Sequence, residues 1–107
     1  CLCRTVACIH NSLADMEREL NIMVDNGCTV LDVVIEHAVY GQLTGELRLT
    51  SRHDVRQFIG RITAEQAPPL STLTGGIHLH TLLCPSDEVY ERTVRELDAA
   101  GILFVKN

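Results

Sequence analysis

The sequence predicts an α+β domain, a split β-α-β-β-α-β, ferredoxin-like sheet with helices on one face and a C-terminal α-β extension. Three observations carry that prediction. Three segments have helical apolar spacing, and each begins at a serine suited to capping. Four others are rich in branched or alternating apolar residues, as strands are, and glycine or proline punctuates most of the junctions. The chain has 107 residues, 46% hydrophobic and 21% charged, so residues 1–107 are read as one domain with its own core.

Leu2 to Ile9 combines Val6, Ile9 and cysteines with little polarity and ends at His10-Asn11-Ser12, the pattern of a buried strand with His10 at its exit. Ser12 with Asp15 three residues on resembles a capping box. Leu13, Met16, Leu20, Met23 and Val24 then share one helical face, and Asn26-Gly27 supplies the stop. Glu17 and Glu19 fall just outside opposite edges of that apolar stripe. Either can lean toward the sheet, a solvated carboxylate is the default for both, and helical geometry does not choose between them.

Cys28 to Glu36 reads as a second strand, and His37-Ala38-Val39-Tyr40-Gly41 as its connection to a third. There Leu43, Gly45, Leu47 and Leu49 alternate with Thr44, Glu46, Arg48 and Thr50, the signature of a half-solvated strand. Ser51 with Asp54 starts a second helix that turns Val55, Phe58, Ile59 and Ile62 inward, with His53 solvated in its first turn and Pro68-Pro69 beyond its end. Gly75-Gly76 leads into a fourth strand that runs through Leu83. After Cys84-Pro85, Ser86 caps a third helix with Val89, Tyr90, Val94 and Leu97 on its apolar side; Gly101 ends it, and Ile102 to Val105 forms a short last strand. Right-handed crossovers set the first strand beside the fourth, antiparallel, which brings His10 close to His78 and His80.

Those last two histidines stand two residues apart in Thr74-Gly75-Gly76-Ile77-His78-Leu79-His80-Thr81. Alternate side chains of a strand share a face, so His78 and His80 point the same way, ~7 Å apart at the Cα atoms, and can converge on one metal ion. A half-solvated strand that carries two polar residues accounts for the pair equally well.

A net charge of −5 with scattered arginines argues against a nucleic-acid surface on this domain. The apolar runs are too short for a membrane span and no signal peptide is visible, so a cytoplasmic location is expected. The chain opens at Cys1 without Met, directly into a strand, and is expected to be a piece of a longer protein. Cys1, Cys3, Cys8, Cys28 and Cys84 all lie in or beside apolar segments, the pattern of buried reduced thiols. Cys1-Leu2-Cys3 without a second cysteine pair is a weak zinc signal.

Glu36-His37-Ala38-Val39-Tyr40-Gly41 together with Gly75-Gly76-Ile77-His78-Leu79-His80-Thr81 resembles the 3H domain family, named for three characteristic histidines, here His37, His78 and His80. The likeness extends to Met16-Glu17-Arg18-Glu19-Leu20 and Asp25-Asn26-Gly27 and covers nearly the whole chain. The resemblance implies a ligand-sensing domain that follows an N-terminal helix-turn-helix in small bacterial transcription factors, the best known being niacin-responsive repressors of NAD biosynthesis and niacin uptake genes. It implies a metal site of a histidine ending the first strand, a glutamate just before a leucine on the next helix, and both histidines of His-x-His. Carried over, these are His10, Glu19, His78 and His80. The step from His10 to Glu19 is one residue longer than is usual in the family, and Ala38 stands at a customary proline.

Neutral imidazoles with one carboxylate suit nickel, zinc or iron(II), with nickel or zinc favoured by the resemblance. An open coordination position would accept a pyridine nitrogen or a carboxylate, and nicotinic acid has both. His37, Tyr40 and the backbone of Gly75 and Gly76 are candidate walls for that effector. Each has a plain structural alternative: His37 as a partner of Glu36, Tyr40 as packing over the core, the glycines as a turn. The expected whole is a non-enzymatic homodimer that reaches DNA through the absent N-terminal domain. Two rivals stand beside it. A metal-dependent hydrolase needs a free general base, for which Glu17, Glu36 or Glu46 would have to serve without a supporting motif. A metal-free small-molecule-binding regulatory module needs only the fold.

Overall fold

The chain folds as a four-stranded sheet with three helices, and a computed structural model describes residues 2–10, 12–66 and 68–104. The strands are β1 (Leu2–Ile9), β2 (Thr29–His37), β3 (Gly41–Leu49) and β4 (Ile77–Cys84); the helices are α1 (Leu13–Asp25), α2 (Arg52–Glu65) and α3 (Asp87–Ala99). One element escapes the sequence pattern, a 3-10 segment over Leu70–Thr74.

Local chemistry places the helix ends. Ser12, Ser51 and Ser86 each accept a hydrogen bond from the backbone N–H three residues on, so one of the unpaired amides of each first turn finds a partner. Helices α1 and α3 both close by bonding their last carbonyls to the amides around a glycine of positive φ, Gly27 at 90° and Gly101 at 74°. At α2 the same left-handed position falls to Gln66.

The strand order across the sheet is β1-β4-β2-β3, all antiparallel. Two split β-α-β units interlock: β4 lies between β1 and β2, and β2 between β4 and β3. The α+β class and the β1–β4 pairing are as the sequence predicts. The centre of the sheet differs from the ferredoxin-like arrangement, whose first and third strands are central; here β4 and β2 hold that place. The consequence is chemical. His-x-His sits on an interior strand, flanked on both sides by backbone that can hold it.

Side chains of β1 and β4 alternate as register demands. Val6 and Cys8 share a buried face with His78, His80, Leu82 and Cys84, under a core that includes Leu20, Met23, Val55 and Leu97. The C-terminal segment lies along the outer edge of β1, where the Ile9 amide donates to the Ile102 carbonyl at 2.7 Å and the Phe104 amide to the Ala7 carbonyl at 2.9 Å. This covers an otherwise bare edge. The predicted last strand is reduced to one bridge, Cys8 to Leu103, and Val105 lies outside the described residues, as does Cys1. Cys8, Cys28 and Cys84 are buried as expected, whereas Cys3 is exposed on the edge strand.

Candidate metal centre

Helix α1 presents Met16, Glu19, Leu20, Met23 and Val24 to the sheet. Glu19 therefore occupies a core position, and none of its surface is exposed. An isolated buried carboxylate costs several kcal/mol, so it requires partners. It has three. His80 Nε2 lies 2.6 Å from Glu19 Oε1, His78 Nε2 lies 2.8 Å from Oε2, and His10 Nε2 lies 3.0 Å from the same Oε2. All three imidazoles are buried. Their rings meet edge to face, with centroids 4.6 Å apart for His10 and His78 and 4.9 Å for His78 and His80. The ambiguity between the two helix carboxylates is resolved in geometry, since Glu17 lies toward Arg52 instead.

The backbone decides which nitrogen of each ring faces the carboxylate. His78 Nδ1 donates to the Gly76 carbonyl at 2.8 Å, and His80 Nδ1 donates to the Asp32 carbonyl at 2.8 Å. Both Nε2 atoms are left pointing at Glu19. A β-bulge supplies the second carbonyl: between Val30 and Asp32 strand β2 shifts register against β4, and the Asp32 carboxylate accepts the Thr81 amide at 3.1 Å. Gly76 is set by a turn with φ values of 66° at Gly75 and 95° at Gly76, closed by the Thr74 hydroxyl donating to the Ile77 carbonyl. The Gly76 carbonyl also accepts from the His10 amide at 3.3 Å, so one peptide unit orients two of the histidines.

Electrostatics couple the cluster. Burial alone would raise the Glu19 pKa, but the charge of His80 and hydrogen bonds from His10, His78 and His80 hold it well below the usual carboxylate range. Burial alone would lower His80, and Glu19 outweighs it, raising the imidazole above its ordinary value. Histidines with Nδ1–H fixed on backbone carbonyls and Nε2 converging on one carboxylate have the outer-shell pattern of metal ligands. His10 adds a third nitrogen: its buried Nε2 lies 3.0 Å from the same carboxylate oxygen that His78 approaches. The donor set thus fits a borderline divalent ion.

Sequence reasoning missed one member. Cys8 Sγ belongs to a group with Glu19 and His78 whose potential ligand atoms all lie within 4.8 Å of one another. Burial pushes its thiol pKa up, and Glu19 adds to that. The signal was present in the sequence, because Cys8 stands two residues before the strand-exit His10 in an alternating segment.

A cavity of about 300 Å³ opens directly on Glu19, His78 and His80, walled by Met16, Leu20, Phe58, Ile62, Pro69, Leu70, Gly45 and Leu47. Among its lining residues there is no Lys or Arg, while Glu46 stands at its edge. His10 faces a neighbouring cavity of about 290 Å³, separated from the first by Met16, Ile62 and Pro69, which line both. The structure does not bring the other four predicted residues into the main cavity. His37 Nδ1 accepts the amides of Val39 and Tyr40 at 3.1 and 3.2 Å, so it shapes the β2–β3 hairpin. Tyr40, the other proposed effector wall on that connection, is 74% exposed and lies against His37 at 5.0 Å between centroids, so it does not pack over the core either. Gly75 and Gly76 form the turn before β4, and Gly76 lines the cavity beside His10.

The chain matches the family model for the 3H domain over residues 3–106. It is 44% identical over 101 residues to a protein of Bacillus subtilis strain 168 described as transcription repressor NadR, an alignment that covers 94% of this chain and 56% of that one. It is 39% identical over 90 residues to a Thermotoga maritima protein described as probable transcription repressor NiaR, covering 84% of this chain and 51% of that one. The chain spans about half the length of these curated relatives.

Proposed function

The chain belongs to the 3H domain family, and from that premise we propose that it is the effector-sensing, metal-binding part of a transcription repressor that responds to nicotinic acid. The observation that carries this reading is the buried Glu19 ringed by His10, His78 and His80 at the base of an apolar cavity without Lys or Arg. A carboxylate ligand in that cavity would face Glu19 and Glu46 with no fixed cation to receive it. A resident nickel, zinc or iron(II) ion held by His10, Glu19, His78 and His80 would supply the missing positive charge and a position for a carboxylate or ring nitrogen. Met16, Phe58, Ile62 and Leu70 would enclose the ring, and about 300 Å³ suits a one-ring acid.

DNA would be read by a further domain, which the family resemblance puts before this one; the relatives, described as transcription repressors, are about twice as long and have room for it. The effector acts through its different affinity for two states of the whole protein. A homodimer is the expected assembly, and Val39 and Tyr40, adjacent and exposed on the β2–β3 connection, are apolar side chains that such a contact would cover.

Calorimetry tests the reading. Nicotinic acid should bind the nickel- or zinc-loaded chain, nicotinamide should bind far more weakly, and neither should bind a His78→Ala, His80→Ala double mutant. Equal binding of the acid to metal-free and metal-loaded protein would overturn the metal's role; no binding in any metal state would remove nicotinic acid as the effector.

A further inference from the structure

We propose that Cys8 is a further donor of this centre, a thiolate that makes it a mixed nitrogen, oxygen and sulfur site. The inference rests on the metal reading above and extends it to a residue outside the four-ligand set.

Three observations carry it. Strand register pairs Cys8 with His78, so both project from adjacent strands onto the face that Glu19 covers. The Cys8 sulfur, a Glu19 oxygen and a His78 nitrogen lie mutually within 4.8 Å, all on buried residues. His10, two residues on and just past the end of β1, brings its buried Nε2 to 3.0 Å from the same carboxylate. β1 and the residue at its exit thus offer two donors and β4 offers two more, with the α1 carboxylate above them.

Charge gives the reason for a fifth group. A divalent ion among three neutral imidazoles and one carboxylate leaves a net positive charge in a buried site, and a buried net charge is costly. When the Cys8 S–H bond breaks, its electron pair forms the sulfur–metal bond and the proton leaves to solvent. The two anionic donors then balance the ion, and an effector carboxylate would be held by direct coordination at the open position and not by net charge. A soft thiolate also biases the centre toward zinc, nickel or cobalt and away from magnesium or calcium.

Cobalt(II) titration of the chain tests this, because cobalt reports its donors by absorption. The unmodified chain should show visible ligand-field bands together with a near-ultraviolet sulfur-to-cobalt charge-transfer band. Cys8→Ser should lose the charge-transfer band and keep the ligand-field bands, whereas Cys84→Ser, which alters the other buried thiol pair, should keep both. Ligand-field bands without charge transfer in the unmodified chain, or a charge-transfer band that survives Cys8→Ser, would overturn the proposal and leave the nitrogen–oxygen site standing. Absence of all bands would overturn the metal reading with it. Should Cys8→Ser fail to fold, X-ray absorption of the zinc-loaded chain with Cys1, Cys3, Cys28 and Cys84 all changed to Ser decides: a sulfur scatterer in the first shell is expected, and nitrogen and oxygen alone would overturn the assignment.

Discussion

Glu19 and His80 shift each other's proton equilibria in opposite directions, and that gives the domain a characteristic pH profile. Glu19 is depressed, so its contribution to stability is present above the ordinary carboxyl pKa of about 4.3 and is lost as pH falls through its lower folded value. His80 is raised, so its contribution is complete below about 6.5 and is lost as pH rises through its higher folded value. Metal-free protein should therefore gain most from the cluster between about pH 4.5 and 6.5 and lose that gain on the alkaline side. Metal binding needs neutral imidazoles, so stabilisation by zinc should grow over the same rise in pH. Melting curves with chelator and with zinc, each compared with Glu19→Gln, isolate the two trends. A chelated protein whose advantage over Glu19→Gln increases above about pH 7 would refute the coupling. Of the buried groups gathered around Glu19, the sequence exposed the histidines best, because His-x-His and a strand-end histidine stand out against apolar neighbours. Glu19 was harder to single out. A carboxylate beside an apolar stripe is ordinary until a tertiary partner explains its burial.

Two irregular backbone elements hold the histidines, and they make a prediction at their own scale. Gly76 has a φ of 95°, where a side chain costs roughly 1–3 kcal/mol, and its carbonyl bonds both His78 Nδ1 and the His10 amide. Gly76→Ala should lower stability by about that amount and weaken zinc binding by roughly 10–100-fold, as loss of an orienting group does. Denaturant titration and a competitive zinc assay measure the two effects. Lost stability with native zinc affinity would show that the turn is structural only. The glycine pair was legible as a turn before a strand. The bulge at Val30–Asp32 was not, because it arises where β2 must match two neighbours of different register. No local propensity encodes that compromise, and it is what delivers the Asp32 carbonyl to His80.

At the scale of the whole molecule, the cavity is the joint product of α1, α2, the sheet and the segment around Pro69 and Leu70. Gly45 keeps its wall low. A Cβ there would meet Val33 Cγ1 at 3.4 Å and Leu70 Cδ2 at 4.0 Å, so a small addition fits and a larger one fills the space. Gly45→Val should reduce nicotinic acid affinity by at least about tenfold, roughly 1.4 kcal/mol, and leave zinc binding intact. Unchanged calorimetric binding of the acid would place the effector elsewhere. By itself the sequence determined the α+β class, the helix boundaries, the β1–β4 pairing and the histidines most worth watching. The class and the helix boundaries follow from short-range rules, since apolar period, serine caps and glycine stops act within a few residues, and the pairing follows from the handedness of the crossovers. The tertiary structure alone decided which strands are central, that Cys8 joins the cluster, and that His37 and Tyr40 stand apart from the main cavity; it also turned inward the Glu19 that the family resemblance singles out and helical geometry does not. Each of these depends on contacts between residues far apart in the chain, where backbone register and the cost of burying an unpaired charge outweigh local preference.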